Sequence, residues 1–239
     1  MLEQFSRTEL LLGRESMEKL ANARVAVFGV GGVGGYVVEA LVRSGIGAID
    51  IVDNDTVSLS NLNRQIIATR KTVGQYKVDV MKERILEINP ECKVEAHKCF
   101  YLPETKEQFD FSAYDYVVDA IDTVTGKIQL VMQANESKTP IISSMGAGNK
   151  LNPAEFEVAD IYKTSVCPLA KVMRHELKKR GVKKLKVVYS KEKAITPNKT
   201  TAAEGENEAG SKKAVPGSTA FVPSVAGLII ASEVIKDLM

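Results

Sequence analysis

Cysteine is scarce in this chain. Cys92, Cys99 and Cys167 are the only three in 239 residues. They are too few and too scattered for a disulfide framework or a four-cysteine zinc site, and they fit a reducing, cytoplasmic setting. Histidine is scarcer still, with only His97 and His175. Isolated histidines are more often structural or surface groups than ligands, and neither is assigned a role. Long apolar runs are also missing. No stretch reaches the roughly 18–20 residues of a membrane span, and the N-terminal MLEQFSRTELLLGRE has no apolar signal-peptide core. There is no internal repeat and no clear linker, and a net charge of +2 says little by itself. What remains is a 44% hydrophobic composition, ordinary for a globular protein able to bury a sizeable core. The expectation is one domain over 1–239: a helical arm over 1–23, a nucleotide-binding core over 24–150 and an extension over 151–239.

What the chain does have is RVAVFGVGGVGGYVVEALVRSGIGAIDIVDND, from Arg24 to Asp55. An apolar run over Val25–Val30 leads into Gly29, Gly31, Gly32 and Gly34. A helical segment over Gly35–Ser44 follows, with Val33, Val37 and Leu41 on one face, and a second apolar run over Ala48–Val52 ends in Asp53. Glycines allow a tight strand-to-helix turn and close approach to a phosphate. The helix then offers free N–H groups and the positive end of its dipole to that anion. An acid about 20 residues on, at the end of the second strand, can hydrogen-bond a ribose hydroxyl. Four glycines in six residues exceed what packing a helix on a sheet needs, so the stretch reads as a nucleotide site.

Downstream, periodicity predicts a helix over Lys77–Asn89 stopped by Pro90, a strand over Lys93–His97, a short helix over Glu104–Phe109, a strand over Tyr116–Ala120, a helix over Thr125–Lys138 and a strand over Pro140–Ser144. This alternation implies an α/β, Rossmann-like, mostly parallel sheet with helices on both faces. After Asn152 the rhythm changes. Glu155–Ala159 and Leu185–Tyr189 read as strands of an antiparallel extension, with a helix over Pro168–Arg180 between them. Pro223–Met239 reads as an apolar closing helix. The polar segment 191–216 reads as a mobile loop.

Three clusters fall at the carboxyl ends of predicted strands. They are Asp53 and Asp55 with Ser60-Asn61-Leu62-Asn63-Arg64-Gln65, then Gly74-Gln75-Tyr76-Lys77, then Asp119-Ala120-Ile121-Asp122. Cations and carboxylates around a bound nucleotide suit phosphoryl chemistry better than hydride transfer. Arg64 and Lys77 can neutralise a polyphosphate and stabilise charge developing at its α-phosphate. Asp122 can hold Mg²⁺, a hard ion that prefers carboxylate and phosphate oxygens. The nucleotide-binding candidates are therefore Gly29, Gly31, Gly32, Gly34, Asp53, Asp55, Ser60, Asn61, Arg64, Gln65, Lys77, Asp119 and Asp122. Backbone carbonyls of the Gly146-Ala147-Gly148 turn could take a monovalent cation or shape a substrate pocket.

The motifs GVGGVG, DNDTVSLSNLNRQ, VGQYK, the INP at Ile88–Pro90 and DAID resemble the ThiF/HesA/MoeB family, bacterial relatives of the ubiquitin-activating enzymes. The resemblance covers Arg7 to about Gly148. It implies adenylation of a carboxylate with Mg·ATP. Gly32 would lie on the phosphates and Asp53 on the ribose; Asp55, Asn61, Arg64 and Lys77 would line the triphosphate, and Asp122 would bind the metal. Arg7 would reach into the neighbouring subunit's site, which implies a homodimer. Relatives carry an Arg-Gln pair where this chain has Arg7-Thr8.

In the second half, the two CxxC pairs common in the family are absent, so no structural zinc is expected. Asp160, Lys163-Thr164, Pro168-Leu169-Ala170, Thr201–Gly205 and the Gly217–Gly227 segment instead resemble the family's tRNA-modifying branch. That resemblance implies ATP-dependent cyclisation of threonylcarbamoyladenosine in tRNA, with no enzyme nucleophile. Residues 171–193 hold Lys171, Arg174, Lys178, Lys179, Arg180, Lys183, Lys184, Lys186, Lys191 and Lys193 against Glu176 and Glu192. The first seven are the candidate tRNA-backbone contacts; a solvated basic face is the bland alternative. Cys167 reads as incidental. Two further readings stay open. One is activation of the C-terminal Gly-Gly of a ubiquitin-like sulfur carrier. The other is a non-catalytic nucleotide-binding adaptor that serves sulfur-relay proteins.

Overall fold

A computed structural model of the chain describes residues 3–197 and 216–239. Most of the segment expected to be a mobile loop, and all of Thr201–Gly205, lies outside the described residues.

The strands are β1 (Arg24–Phe28), β2 (Ala48–Val52), β3 (Lys93–His97), β4 (Tyr116–Asp119), β5 (Ile141–Ser144), β6 (Phe156–Asp160) and β7 (Lys186–Ser190). They form one sheet in the order β3-β2-β1-β4-β5-β7-β6. The helices are α1 (Ser6–Leu12), α2 (Arg14–Asn22), α3 (Gly34–Arg43), α4 (Lys77–Ile88), α5 (Val124–Ser137), α6 (Pro168–Lys179) and α7 (Phe221–Leu238).

Side chains alternate across the pleat, and this decides which layer each strand face meets. Val25 and Val27 of β1, Tyr116 and Val118 of β4, and Val188 of β7 join the core under α3, α4 and α7. Ala26 and Phe28 of β1 and Val117 of β4 face the opposite core, with Tyr101, Phe109, Phe111 and Leu130. Val187 and Tyr189 of β7 meet α6 through Met173 and Leu177 on that second side. A mostly parallel sheet covered on both faces results, as the apolar strand pattern requires.

The sheet departs from expectation in three places. Of the two strands read as an antiparallel extension, only β6 is antiparallel. β7 pairs parallel with β5, register Ile142↔Lys186, and antiparallel with β6. The chain reaches it through α6, a crossover that restores the parallel direction. The helix expected over Glu104–Phe109 is only a 3-10 turn, Lys106–Gln108. There Tyr101, Phe109 and Phe111 gather around Phe28 with ring centroids 4.8 to 5.6 Å apart. Aromatic rings, rather than an α-helix, cover that part of the sheet. The arm, expected to be amphipathic, is broken in two by Gly13. It buries Phe5 and Leu20, while Leu10 and Leu11 are 86% and 87% exposed.

The strand order reverses direction between β1 and β4, the switch point at which open α/β sheets form a crevice outside their carboxyl ends. The arm lies at the other end of the sheet. Gln4 donates to the carbonyl of Ile88, at the C-terminus of α4, and Phe5 touches Gly45.

Candidate nucleotide-binding site

A cavity of about 450 Å³ opens at that switch point, a volume within the usual range for small-ligand sites. The glycine turn between β1 and α3 forms its floor. Two of its glycines are demanded by packing. A Cβ on Gly34 would stand 1.8 Å from the carbonyl oxygen of Gly29, and one on Gly29 would stand 2.7 Å from that of Ala120. Gly31 is different. A Cβ there would meet only Gln65 Nε2, at 3.9 Å. Its missing side chain leaves open space in the cavity rather than room for a neighbour. Among the described residues, the N–H groups of Gly31, Gly32 and Val33 find no acceptor, and they lie at the N-terminus of α3, where an anion is favoured.

Asp53 ties this turn down. Its Oδ2 accepts from Val30 N at 2.7 Å and its Oδ1 from Asp55 N at 2.9 Å. Burial pushes its carboxyl above the ordinary value, with Lys77 and the two backbone N–H groups pulling the other way. Lys77 is buried; its Nζ donates to Asp55 Oδ2 at 2.6 Å and stands 3.9 Å from Asp53 Oδ1.

Arg64 lies over Gly32, where a Cβ would be 3.5 Å from its Cγ. One guanidinium nitrogen donates to Ser60 O and to Asn63 Oδ1, leaving the other donors for a ligand. Gln65 is only 6% exposed, and its Oε1 is buried without a partner among the described residues. The other end of the same amide, Nε2, is the atom that stands beside Gly31. Asp122 sits exposed at the rim.

Of the expected nucleotide ligands, Gly29, Gly31, Gly32, Asp53, Asp55, Asn61, Arg64, Gln65, Lys77 and Asp122 line the cavity together. Four expected site residues do not. Gly34 is a packing glycine. Ser60 is exposed and pairs with Ser58 Oγ at 2.9 Å; only its carbonyl serves the site, by holding Arg64. Asp119 is fully buried beneath the cavity. It accepts from Lys127 Nζ at 3.0 Å, from Ile121 N at 3.3 Å and from Ser143 Oγ, so it anchors the loop that carries Asp122. Arg7 lies with the arm at the opposite end of the sheet, on a separate surface with Glu3, Gln4 and Ser6.

Two parts of the wall escaped the sequence reading. Phe100, 46% exposed, stands with Tyr101 and Ile121 as an apolar side. Both aromatic residues follow the carboxyl end of β3, so the strand-end rule applied to that strand would have found them. Pro216–Ser218 and Pro223 close the cavity from the far end of the chain. Pro223 is seated because Gly227 lets α7 approach α3 closely: a Cβ at Gly227 would stand 2.4 Å from Val33 O.

The basic segment divides. α6 starts beside Gly146, whose Cβ would lie 3.9 Å from Cys167 Sγ, at the carboxyl end of the sheet. It finishes at the amino end, where Leu185 N donates to Asp160 Oδ2. Lys171 is therefore on the cavity side, Lys178 lies about 10 Å further along the helix, and Lys183 and Lys184 follow the helix end. Arg174 is committed to Thr164, and Lys179 and Arg180 share Glu176. Lys186 pairs with Asp237 and Lys191 with Glu157. Cys167 is buried and outside the cavity. Among the described residues, no group of three or more His, Cys, Asp or Glu converges on a metal-sized site, and no helix is long and apolar enough to cross a membrane.

The family model described as "ThiF family" matches residues 5–239. The tRNA threonylcarbamoyladenosine dehydratase of Bacillus subtilis (strain 168) is 52% identical over 243 residues, covering 100% of this chain and 96% of that protein. The crystal structure of the Escherichia coli enzyme of the same name, in complex with ATP, superposes with a TM-score of 0.88 at 34% identity, covering 99% of this chain and 94% of that one. A sulfur carrier protein adenylyltransferase of Thermus thermophilus is 37% identical over 123 residues, 51% of this chain and 45% of that protein.

Proposed function

Because this chain belongs to the ThiF family, we propose that it is an ATP-dependent tRNA threonylcarbamoyladenosine dehydratase that activates the threonyl carboxylate as an adenylate. The observation that carries the reading is the cavity itself. One wall combines unpaired N–H groups at a helix N-terminus with Arg64, Lys77 and Asp122, in a chain that matches dehydratases of this kind along its whole length.

The residues divide the work by their chemistry. Gly31, Gly32 and Val33 present N–H groups to the α-phosphate, and α3 adds the favourable end of its dipole. Asp53 keeps lone pairs for the ribose while bonded to Val30 and Asp55. Phe100 and Ile121 offer the purine an apolar face. Arg64 and Lys77 neutralise the polyphosphate, with Lys77 exchanging Asp55 for phosphate oxygens. Asp122 would hold Mg²⁺ with those oxygens, an ion that commonly rests on one or two carboxylates plus substrate phosphates and neutralises the leaving group. The carbonyls of Gly146–Gly148, unpaired among the described residues, would suit a monovalent cation.

In the reaction, a threonyl carboxylate oxygen bonds to the α-phosphorus and the bond to pyrophosphate breaks. A carbamoyl atom then attacks the acyl carbon, the bond to AMP breaks and a ring closes. The carbamoyl proton leaves, and the net change in the nucleoside is loss of one water. Arg64 and the glycine-turn amides stabilise charge where it develops, and no enzyme nucleophile is required.

Lys171, Lys178, Lys183 and Lys184 form the backbone track for tRNA, with α6 as its spine. The chain acts as one adenylation domain in the cytoplasm, and as a homodimer. Arg7 is at the wrong end of its own sheet to reach its own cavity, and the exposed Leu10 and Leu11 beside it want cover.

Incubation with ATP and either threonylcarbamoyl-modified tRNA or a Gly-Gly carrier, followed by mass analysis, tests the reading. Loss of one water from the nucleoside together with AMP release is expected. An adenylated carrier in its place would favour the sulfur-carrier reading, and no reaction with either would leave only nucleotide binding.

A further inference from the structure

Asn149 is one of three described non-glycine residues with positive φ, at +58°. It follows the Gly146–Gly148 turn, outside the core of the nucleotide cavity. Its conformation is rare for residues with a side chain, although Asn tolerates it better than most. Three hydrogen bonds hold it there. Its N–H donates to Gly217 O at 2.8 Å and its Oδ1 accepts from Gly217 N at 2.6 Å. Its own carbonyl accepts from Ile195 N at 2.8 Å.

Both polar groups of Gly217 are thus taken by one residue. Gly217 and its neighbours Pro216 and Ser218 line the cavity. On the far side, Asn63, next to Arg64, donates from Nδ2 to Ser218 O at 2.9 Å. Gly148 is pressed against Pro216, where a Cβ would stand 2.9 Å from its Cβ. Residues 216–218 therefore bridge the cavity between two asparagines, one at the carboxyl end of β5 and one beside Arg64. This wall also leads directly into α7, which brings Pro223 to Gly32.

We propose that Asn149 is a positioning residue for the reaction: by binding both the N–H and the carbonyl of Gly217, it fixes the wall against which the acceptor carboxylate meets the α-phosphate. The proposal rests on the dehydratase reading above. The nucleotide's own ligands come from the β1, β2 and β4 side, so the wall carried from β5 borders the space left for the acceptor. A carboxylate that attacks phosphorus must be held within a narrow distance and angle, and small misplacement there costs rate steeply.

The test is Asn149→Gly, with Asn149→Asp beside it. Glycine adopts positive φ without penalty, so the folded state loses nothing in the backbone while Gly217 N loses its acceptor. The expected result is a melting temperature close to wild type, relief of the positive φ offsetting the lost hydrogen bond. ATP affinity by calorimetry should stay within about twofold, and kcat/KM for modified tRNA should fall by about tenfold or more. Asn149→Asp keeps an oxygen for Gly217 N and is expected to recover most of that loss. Amide hydrogen exchange over residues 216–222 should quicken in Asn149→Gly. Wild-type turnover by Asn149→Gly would overturn the proposal, and so would a parallel fall of stability, ATP affinity and turnover, the signature of a merely structural residue. If the wild-type protein fails to convert modified tRNA, the dehydratase reading falls separately. The pin is then judged on exchange alone, and unchanged protection at 216–222 would refute it.

Discussion

Lys77 Nζ lies 2.6 Å from Asp55 Oδ2, a pair in which the lysine is buried and the aspartate side chain is 62% exposed. The cation is held by the strand-end loop, and its partner faces the cavity. An incoming polyphosphate can take over the ammonium without leaving a buried charge unpaired, because Asp55 can turn to solvent. Lys77→Ala should lower turnover by about 10²–10³. The buried Asp53 would also lose its nearest cation, so a stability loss of about 1–3 kcal/mol is expected. Urea unfolding read alongside steady-state kinetics separates the two effects.

Asp122 is exposed at the rim of the same cavity. Its removal costs the fold little. Asp122→Ala should therefore leave the urea midpoint unchanged and abolish turnover to about a hundredth or less. Activity close to wild type would remove this carboxylate from the mechanism.

Asp119, three residues earlier in the same DAID motif, should behave in the opposite way. It and Lys127 are both fully buried, 3.0 Å apart, and Lys127 also donates to Ile121 O at 3.0 Å. Lys127→Met strands a carboxylate in the interior and should cost about 3–5 kcal/mol. Chemical denaturation measures it. A loss below about 1 kcal/mol would show that Asp119 is satisfied by Ser143 and Ile121 N alone.

The contrast within DAID indicates how far sequence reasoning reaches. Strand ends are legible, because an apolar run closing in an acid marks where a parallel sheet meets its crevice. All five strands expected in the core were found within one or two residues, and ten of the expected nucleotide ligands share one cavity. What side-chain type alone does not tell is which way an acid turns. Asp119 falls on the buried side of the pleat and Asp122 beyond the strand's end. The wall formed by Pro216–Ser218 was illegible for a different reason. It reaches the cavity through Asn149, Gly148, Asn63 and the close approach of Gly227 to α3, contacts between segments far apart in sequence. The direction of β7 depended similarly on α6 acting as a crossover, which local periodicity does not report.

Glu39 joins the helix of the glycine turn to its neighbour. Its Oε2 accepts from Arg84 Nε at 2.6 Å and its Oε1 from Arg84 Nη2 at 2.9 Å, and Arg43 adds a third bond at 2.8 Å. Burial raises the carboxyl's pKa, but the two guanidinium groups outweigh it and the net direction is down. A depressed carboxylate stabilises the fold above its unfolded value, and that stability is lost as pH falls through the folded value. Wild-type stability should thus decline on acidification below about pH 4.5, and Glu39→Gln should flatten part of that decline while lowering stability near neutrality. Urea midpoints from about pH 7 to about pH 3 test it; parallel curves for the two proteins would exclude Glu39 from the acid limb.

The lysines of the tRNA track make the last and most quantitative prediction, because ion pairing already ranks them. Lys183 and Lys184 have no partner among the described residues, whereas Lys179 and Arg180 share Glu176. Each lysine that contacts a phosphate releases counterions, so the slope of log K against log salt changes by about 0.7–0.9 per contact. Replacing Lys183 and Lys184 with Gln should reduce the slope by about 1.4–1.8, with ATP affinity unchanged, since these residues lie at the far end of the sheet from the cavity. Replacing Lys179 alone should change the slope less, because its charge is already offset by Glu176. Filter-binding titrations with modified tRNA over a range of salt concentrations supply both slopes. Equal slopes for wild type and the double variant would mean that tRNA does not reach past the end of α6 to the amino end of the sheet, and would remove Lys183 and Lys184 from the track.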